Sequence, residues 1–257
     1  MKQRKHSLAD VETLIILEGL AMKAFLLAAG LGTRLLPLTN TTPKCMLNID
    51  GKPMIYHWIQ LLERHNINDV LINTHHLPDV VGKYVEELNT WHSDLQIVLF
   101  YEEKILGSAG TIKANLDWIK DEKEFLIAYA DNLTNANLSR LIQFHRSRGT
   151  ILTMGLFHSD YPRGCGIAAM DGDGLIVEFV EKPENPKSDL ANAGIYIASP
   201  GFLDYIPEGF VDLGHDVLPR LVGRIYGCEI EGYIRDVGTI ENYRKAQKEW
   251  KKILKPW

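Results

Sequence analysis

The feature that most constrains the fold is a regular alternation of strand-like and helix-like runs between residues 23 and 157. It opens with the apolar run "KAFLLAA" (23–29), and then "PMIYHWIQLLERH" (53–65) places proline before apolar residues at helical spacing. The same alternation predicts further strands at 69–74, 95–101, 124–131 and 151–157, and helices at 80–88, 108–119 and 137–148. This rhythm is typical of an α/β protein with a doubly wound, mostly parallel sheet and helices on both faces.

The pattern changes after about residue 160. Two short strands in "CGIAAMDGDGLIVEFVEKP" are joined by "DGDG", a hairpin turn sequence, and "NAGIYIAS" predicts another strand. A closing helix is expected from Ile240 to about Ile253. We therefore expect a small antiparallel subdomain that covers one side of a site at the carboxyl ends of the parallel strands.

These observations predict a single domain over residues 22–257. Its first half covers about residues 22–160 and its second half about residues 161–249. Residues 1–21 are interpreted as an N-terminal extension, because a second methionine, Met22, directly precedes the first strong strand.

Composition excludes several classes of function. The formal net charge is −5, so there is no basic excess to bind a nucleic-acid backbone. No apolar run reaches the roughly 18 residues that a membrane span requires. The cysteines Cys45, Cys165 and Cys228 lack C-x-x-C spacing, which argues against a disulfide framework or a zinc site and suits a reducing cytoplasm.

A glycine-rich loop follows the first strand, in the run Gly30-Leu31-Gly32-Thr33-Arg34. The third glycine of a dinucleotide loop is replaced by Leu35, and the Gly-Lys-Ser/Thr of a Walker loop is absent. What remains is a backbone cradle for an anion, ending in an arginine suited to bidentate phosphate contact. A plain turn with a solvated arginine is the alternative. Lys44, which follows Pro43, could direct a positive charge at the same loop, and its alternative is likewise a solvated side chain.

The longer run "LLAAGLGTRLLPLTNTTPK" (26–44) resembles the N-terminal signature of the sugar-1-phosphate nucleotidyltransferases. Three further landmarks of that family follow in order: "IAYADN" with Asp131, "FVEKPENP" with Glu181 and Lys182, and "IRDVGTIENY" with Asp236. The resemblance covers about residues 22–249 and implies a Rossmann-like nucleotidyltransferase fold. One departure is Cys45, where the family usually has proline after the Pro-Lys pair.

The resemblance also implies roles for particular residues. Arg34, Lys44, Asp131 and Asp236 would be catalytic, and the two aspartates would bind Mg²⁺. The nucleotide would contact residues of the first loop and the sugar phosphate would contact the second half of the chain. The residues implied for the nucleotide are Leu27, Ala29, Gly30, Gly32 and Thr33, and those for the sugar phosphate are Gly166, Glu181, Lys182, Asn192 and Gly194.

The base is expected to be read by "YEEKILGSAGTI", where Gly107, Ala109 and Gly110 are small enough for a flat base to lie against the backbone. Gly107, Ser108 and Ala109 are assigned to the nucleotide. Glu102 or Glu103 could accept the two adjacent donors of guanine. This segment is also more similar to the "E-x-P-L-G-T-A-G" of mannose-1-phosphate guanylyltransferases than to thymidylyltransferases. The alternative is that both glutamates are solvated and only the loop backbone matters.

GTP and mannose 1-phosphate are therefore the favoured substrates. A glucose-1-phosphate thymidylyl- or uridylyltransferase and a heptose-1-phosphate guanylyltransferase stay open. A catalytically silent regulatory paralogue is less favoured, because the four charged residues are all present. A nicotinamide-dependent dehydrogenase is disfavoured, because Thr74-His75 stands where an acidic residue should end the second strand. The sequence leaves open whether the protein forms a homo-oligomer.

Overall fold

The computed structural model describes residues 22–91 and 94–253, so the expectation for residues 1–21 lies outside the described residues. Strands and helices alternate through the first half, as predicted. The described strands are β1 (Lys23–Leu27), β2 (Asn48–Ile49), β3 (Lys52–Pro53), β4 (Asp69–Thr74), β5 (Gln96–Tyr101), β6 (Phe125–Tyr129), β7 (Asn132–Thr134), β8 (Leu152–His158), β9 (Gly166–Met170), β10 (Ile176–Glu181), β11 (Leu190–Ala198), β12 (Tyr226–Glu229) and β13 (Ile234–Asp236). The described α-helices are α1 (Met54–Arg64), α2 (Pro78–Trp91), α3 (Ser108–Ala114), α4 (Leu116–Ile119), α5 (Leu138–Arg148) and α6 (Ile240–Ile253).

One large mixed sheet forms the centre of the molecule. Its parallel part has the order β6-β1-β4-β5, and β11 joins it antiparallel to β6. Beyond β11 the sheet continues through β9 and β10 on one path and through β8 and β12 on another. Strand direction therefore changes where the second half of the chain begins, and β9 and β10 form the predicted hairpin.

Helices pack on both faces of this sheet, which confirms the doubly wound fold. Strand β1 explains why, because its side chains alternate between the faces. Ala24 and Leu26 contact one apolar cluster, to which α1, α2 and α5 contribute, while Phe25 and Leu27 contact a second, to which α3 and α4 contribute. Both faces of β1 are therefore buried from Ala24 to Leu27.

A small sheet pairs β13 with β7, the strand that directly follows β6 of the large sheet. Asp236 pairs with Asn132 in its register, and the Val237 amide donates to the Asp131 carbonyl at 2.9 Å. Helix α6 then packs through Ala246 and Trp250 against a third apolar cluster. The late aspartate is thereby placed beside the aspartate that follows β6.

The predicted helix over 108–119 is interrupted, which corrects the sequence analysis. Helix α3 ends at Ala114 and α4 begins at Leu116. The Asn115 side chain donates to the Thr111 carbonyl at 2.8 Å, in competition with the helical backbone for that acceptor. Among the described residues, no helix is both long and apolar enough to cross a membrane.

Candidate active site

A cavity of about 350 Å³ opens at the carboxyl ends of β1, β4 and β6. It lies between the first loop, the segment after β5 and the antiparallel strands. Most of the predicted site residues line it together: Leu27, Ala29, Gly30, Arg34, Glu102, Gly107, Ser108, Asp131, Gly166, Glu181, Lys182, Asn192, Gly194 and Asp236. Five predicted residues are not part of this lining: Gly32, Thr33, Lys44, Glu103 and Ala109.

The first loop turns sharply so that Arg34 faces the cavity. Gly32 has φ 66° and ψ 28°, a left-handed conformation that favours glycine. The Gly32 carbonyl accepts from the Leu35 amide at 2.9 Å and from the Thr39 hydroxyl at 2.8 Å. Gly32 therefore sets the conformation of the loop without lining the cavity. Gly30 does line the cavity, and a Cβ there would meet nothing within 4 Å.

Lys44 lies behind the cavity floor and joins the two aspartates. It is buried, its ammonium is hydrogen-bonded to Asp131, and it lies 3.6 Å from Asp236 Oδ1. Burial opposes the charge on Lys44, but the carboxylates of Asp131 and Asp236 outweigh it and raise the pKa of Lys44. The lysine is therefore a fixed cation, and its contact with a substrate would be indirect unless the aspartates move.

Asp236 carries the electrostatic cost of this arrangement. Burial, and then the nearby charge of Asp131, raise its pKa, although Lys44 and Arg34 act in the opposite direction. A divalent cation between the two carboxylates would remove that repulsion. Carboxylate oxygens are the ligands that Mg²⁺ prefers, so the residues present fit the ion.

Few protein ligands are available for such an ion. The described residues contain no group of three or more histidine, cysteine, aspartate or glutamate side chains arranged to hold a metal. Mg²⁺ typically keeps several waters and is bound by one or two carboxylates together with substrate phosphates. Asp131 and Asp236 would be the protein ligands of the ion. Cys45 would not be one, because burial raises the pKa of its thiol to about 12 and the thiol stays protonated.

The small residues of "LGSAG" also meet another part of the chain. Residues 209–213, here called the covering segment, pack directly on them. A side chain at Gly107 would collide with the Val211 carbonyl, and one at Gly110 would lie 2.8 Å from the Gly209 carbonyl oxygen. The Ala109 amide also donates to Val211 O at 2.9 Å. Gly107 and Gly110 therefore leave room for the covering segment. Gly107 and Ser108 also border the cavity, and their contact with a base stays a prediction.

Ser108 is committed to the covering segment as well. Its hydroxyl donates to Asp212 Oδ2 at 3.0 Å and accepts from the Leu213 amide at 2.7 Å. Asp212 and His215 line the cavity but escaped the sequence analysis. Asp212 lies in no motif and in no periodic apolar pattern, so the sequence gives no reason to assign it to a site. Its hydrogen bond with Ser108 in the folded chain is what identifies it.

Glu102 is buried and already hydrogen-bonded from within. Its Oε1 accepts from Asn73 at 2.7 Å and from Thr111 at 2.5 Å, and its Oε2 accepts from the Leu106 amide at 2.9 Å. A fork from guanine to both oxygens, as the sequence analysis supposed, is therefore not open. Glu103 is exposed. The assignment of either glutamate to the nucleobase stays a prediction.

The opposite wall carries the residues predicted for the sugar phosphate. Lys182 Nζ lies 3.2 Å from Glu181 Oε1, and a Cβ at Gly166 would lie 2.5 Å from Glu181 Oε2. Glycine at 166 therefore leaves room for the glutamate. Asn192 donates to the Tyr196 hydroxyl at 2.6 Å and accepts from the Gly194 amide at 3.0 Å.

Two tyrosines beside Asn192 and Gly194 were not anticipated from sequence. Tyr129 lines the cavity and Tyr196 lies behind Asn192. Burial raises the pKa of both phenols, so both stay protonated and neutral. Gly194 is left-handed with φ 65°, and a Cβ there would lie 2.5 Å from the Tyr129 ring.

Comparison with known proteins identifies similar sequences and structures. The chain matches the profile of the nucleotidyl transferase family over residues 23–253. A UTP–glucose-1-phosphate uridylyltransferase of Synechocystis sp. is 32% identical over 243 residues, covering 88% of this chain and 62% of that protein. A mannose-1-phosphate guanyltransferase of Candida albicans is 32% identical over 231 residues, covering 86% of this chain and 62% of that protein.

A solved structure has a similar fold. HddC of Yersinia pseudotuberculosis, complexed with GMP-PN, superposes with a TM-score of 0.76 at 25% sequence identity. The superposition covers 89% of this chain and 99% of that one. By contrast, the chain spans only about 62% of the length of the two curated relatives described above.

Proposed function

This chain belongs to the nucleotidyl transferase family, and on that premise we propose that it transfers a nucleotidyl group from an NTP to a sugar 1-phosphate. The products are a nucleoside-diphosphate sugar and pyrophosphate. The observation that carries the proposal is the meeting of Arg34, Asp131, Lys182 and Asp236 around one cavity of about 350 Å³. Such a cavity has the size of a small-molecule site.

The reaction joins two anions, which dictates what the protein must supply. An oxygen of the sugar phosphate attacks the α-phosphorus, the new P–O bond forms, and the bond to the pyrophosphate oxygen breaks. The protein must therefore neutralise charge and align the reactants. In the proposal, Arg34 and the backbone of Gly30 bind the triphosphate, and Lys182 binds the sugar phosphate.

Mg²⁺ is part of the proposal. Asp131 and Asp236 would hold it, and it would supply positive charge to the phosphates when bound. Lys44 would keep the two carboxylates together, because its ammonium is bonded to one and lies 3.6 Å from the other. No covalent nucleophile is required.

GTP is proposed as the preferred nucleotide. The guanyltransferase relative and the complex of HddC with GMP-PN support guanine. The uridylyltransferase relative supports the alternative, a glucose-1-phosphate uridylyl- or thymidylyltransferase. Glu102 retains one acceptor position, which fits N1–H of guanine and N3–H of uracil or thymine alike. The preference for GTP therefore rests on the guanyltransferase relative, on HddC and on the similarity of "EKILGSAG" to the guanylyltransferase sequence.

Mannose 1-phosphate is proposed as the sugar substrate, with a heptose or glucose phosphate as the alternative. Glu181 would accept hydrogen bonds from sugar hydroxyls, and Asn192 lies on the adjoining strand β11. A reducing cytoplasm is proposed for the cellular location, because Cys45, Cys165 and Cys228 are free thiols.

A panel of substrates tests the proposal. ATP, CTP, GTP, UTP and dTTP are each combined with mannose, glucose and heptose 1-phosphates in Mg²⁺ buffer, and released pyrophosphate is measured. We expect release with GTP and mannose 1-phosphate to exceed that with other pairs. Release with UTP or dTTP alone would overturn the guanine assignment. The absence of release with every pair would overturn the transferase assignment and favour a silent nucleotide-sugar binder.

A further inference from the structure

Asn73 connects the two loops that flank the nucleotide side of the cavity. It lies near the end of β4 among buried residues, is only 4% exposed and lines the cavity. Its Oδ1 accepts from the Ala28 amide at 2.6 Å, and its Nδ2 donates to Glu102 Oε1 at 2.7 Å. Because a backbone amide can only donate, the Ala28 contact fixes which side of the Asn73 amide is oxygen.

That fixed orientation dictates the chemistry of residue 102. Asn73 and Thr111 both donate to Glu102 Oε1, and the Leu106 amide donates to Oε2. Both oxygens of residue 102 must therefore be acceptors, which a carboxylate satisfies and a glutamine amide does not. No lysine, arginine or histidine within residues 22–91 and 94–253 forms an ion pair with Glu102, although it is only 2% exposed.

Counting acceptor positions shows what is left for a ligand. A carboxylate oxygen has two lone pairs. Those of Oε1 are taken by Asn73 and Thr111, and one of Oε2 is taken by the Leu106 amide. Glu102 lines the cavity, so it can offer a ligand one further acceptor position, on Oε2.

We propose that Asn73 is a positioning residue for base recognition. It holds Glu102 as an acceptor-only group with one free position, and through Ala28 it links Glu102 to the end of β1, just before the glycine-rich loop. The inference rests on the proposed function, because it assigns the nucleobase to this end of the cavity. Glu102 then accepts one N–H of the base, at a fixed distance from the glycine-rich loop that is proposed to bind the triphosphate.

Exchanging the polarity of the pair tests this connection. Glu102→Gln leaves either Asn73 or the Leu106 amide facing a donor, and Asn73→Asp sets one carboxylate against another. In the double variant, the new carboxylate at position 73 accepts from both the Ala28 amide and the new side-chain amide at position 102. The carbonyl oxygen of that side-chain amide still accepts from Leu106. Thr111 can turn to the Gly107 carbonyl, which is already 3.1 Å away.

Nucleotide binding by the Mg²⁺-loaded full chain is measured by calorimetry without sugar phosphate, and KM for each substrate by pyrophosphate release. Each single variant is expected to raise the Kd and KM for GTP about 10- to 100-fold, with the KM for sugar phosphate unchanged. The double variant is expected to return within a few-fold of the parent. Glu86→Gln with Asn89→Asp makes the same changes at exposed positions of α2 and should change nothing.

Equal losses in the double and single variants, with thermal melts intact, would overturn the proposal. If Asn73→Asp does not fold, Asn73→Ala replaces it. Adding Glu102→Gln to Asn73→Ala should then raise the Kd for GTP much less than adding it to the parent protein. An equal rise in both backgrounds overturns the proposal. If the parent binds GTP with this pattern but releases no pyrophosphate, the inference stands and the proposed function fails. If pyrophosphate is released but neither single variant changes the Kd for GTP, the proposed function stands and the inference about Asn73 fails.

Discussion

At the scale of single residues, the candidate site accepts an electrostatic cost. Asp131 and Asp236 are held together by one buried lysine, and burial together with the charge of Asp131 raises the pKa of Asp236. The charged form of Asp236 is therefore disfavoured by its surroundings. Such a group is typical of a functional site, where a bound cation or substrate compensates for the cost.

Replacement of that carboxylate separates stability from activity. Asp236→Asn removes a charge that burial and Asp131 both disfavour, so the free energy of unfolding should be unchanged or higher. Pyrophosphate release should fall by about 100-fold or more, because the variant loses a proposed Mg²⁺ ligand. Urea denaturation and the release assay measure the two effects.

The matched control is Asp173→Asn, an exposed aspartate in the turn between β9 and β10. It should change neither quantity. Full activity of Asp236→Asn would remove the metal assignment from this residue, and a large loss of stability would contradict the electrostatic argument.

At the scale of elements, the loop before α3 and the covering segment form one unit. The Ala109 and Gly110 amides share the Val211 carbonyl, and the Val211 amide donates to Leu106 O at 2.9 Å. The wall that carries Asp212 is therefore bonded to Leu106 in the loop and to the first turn of α3, which carries Ser108. A change in one should displace the other.

Gly107→Ala tests this close approach. Gly107 has φ 80° and ψ 164°, a region nearly restricted to glycine, and an added Cβ would meet the Val211 carbonyl. We expect a loss of about 3 kcal/mol or more in the free energy of unfolding. Gly149→Ala is the control, since Gly149 has φ 57° but nothing within 4 Å of an added Cβ, and it should cost only about 1–2 kcal/mol. Similar costs at both positions would argue against the clash.

At the scale of the whole molecule, buried histidines couple the fold to pH. His145 connects α5 to β8 through Thr153 at 3.0 Å, and to Ser199, directly after β11, at 2.9 Å. Burial lowers the pKa of His57, His65 and His145 below the ordinary 6.5. The folded protein therefore binds fewer protons than the unfolded chain as the pH falls below about 6.5.

Stability should consequently decline with acidification. Each such histidine adds a slope of at most about 1.4 kcal/mol per pH unit, and the contribution vanishes above the unfolded pKa. The measurement is the free energy of unfolding in urea between pH 8 and pH 5.5. His158 acts in the opposite sense, because the Asp189 carboxylate raises its pKa, so His158→Gln should make the decline steeper. A flat profile would show that the buried histidines do not control the response.

The sequence by itself determined the loops that carry the chemistry and the elements, except for the break between α3 and α4. Strand and helix follow from the spacing of apolar residues, which is a local property, and the prediction for α6 agrees with the structure at both ends. Arg34, Asp131, Glu181 and Asp236 were identified because each lies in a short motif. Arg34 and Asp131 line one cavity because the carboxyl ends of the parallel strands β1 and β6 lie at one edge of the sheet. Glu181 and Asp236 end antiparallel strands, and only the folded second half of the chain brings them to the same cavity.

Tertiary structure alone decided which donor meets which acceptor. The reason for Gly107 is the Val211 backbone, and the reason for a carboxylate at residue 102 is the amide of Asn73, held in turn by Ala28. Neither relation leaves a periodic trace, since the partners lie far apart along the chain. Apolar burial depends on the type of residue and survives small displacements, whereas a hydrogen bond depends on the direction of two groups that only the completed fold brings together.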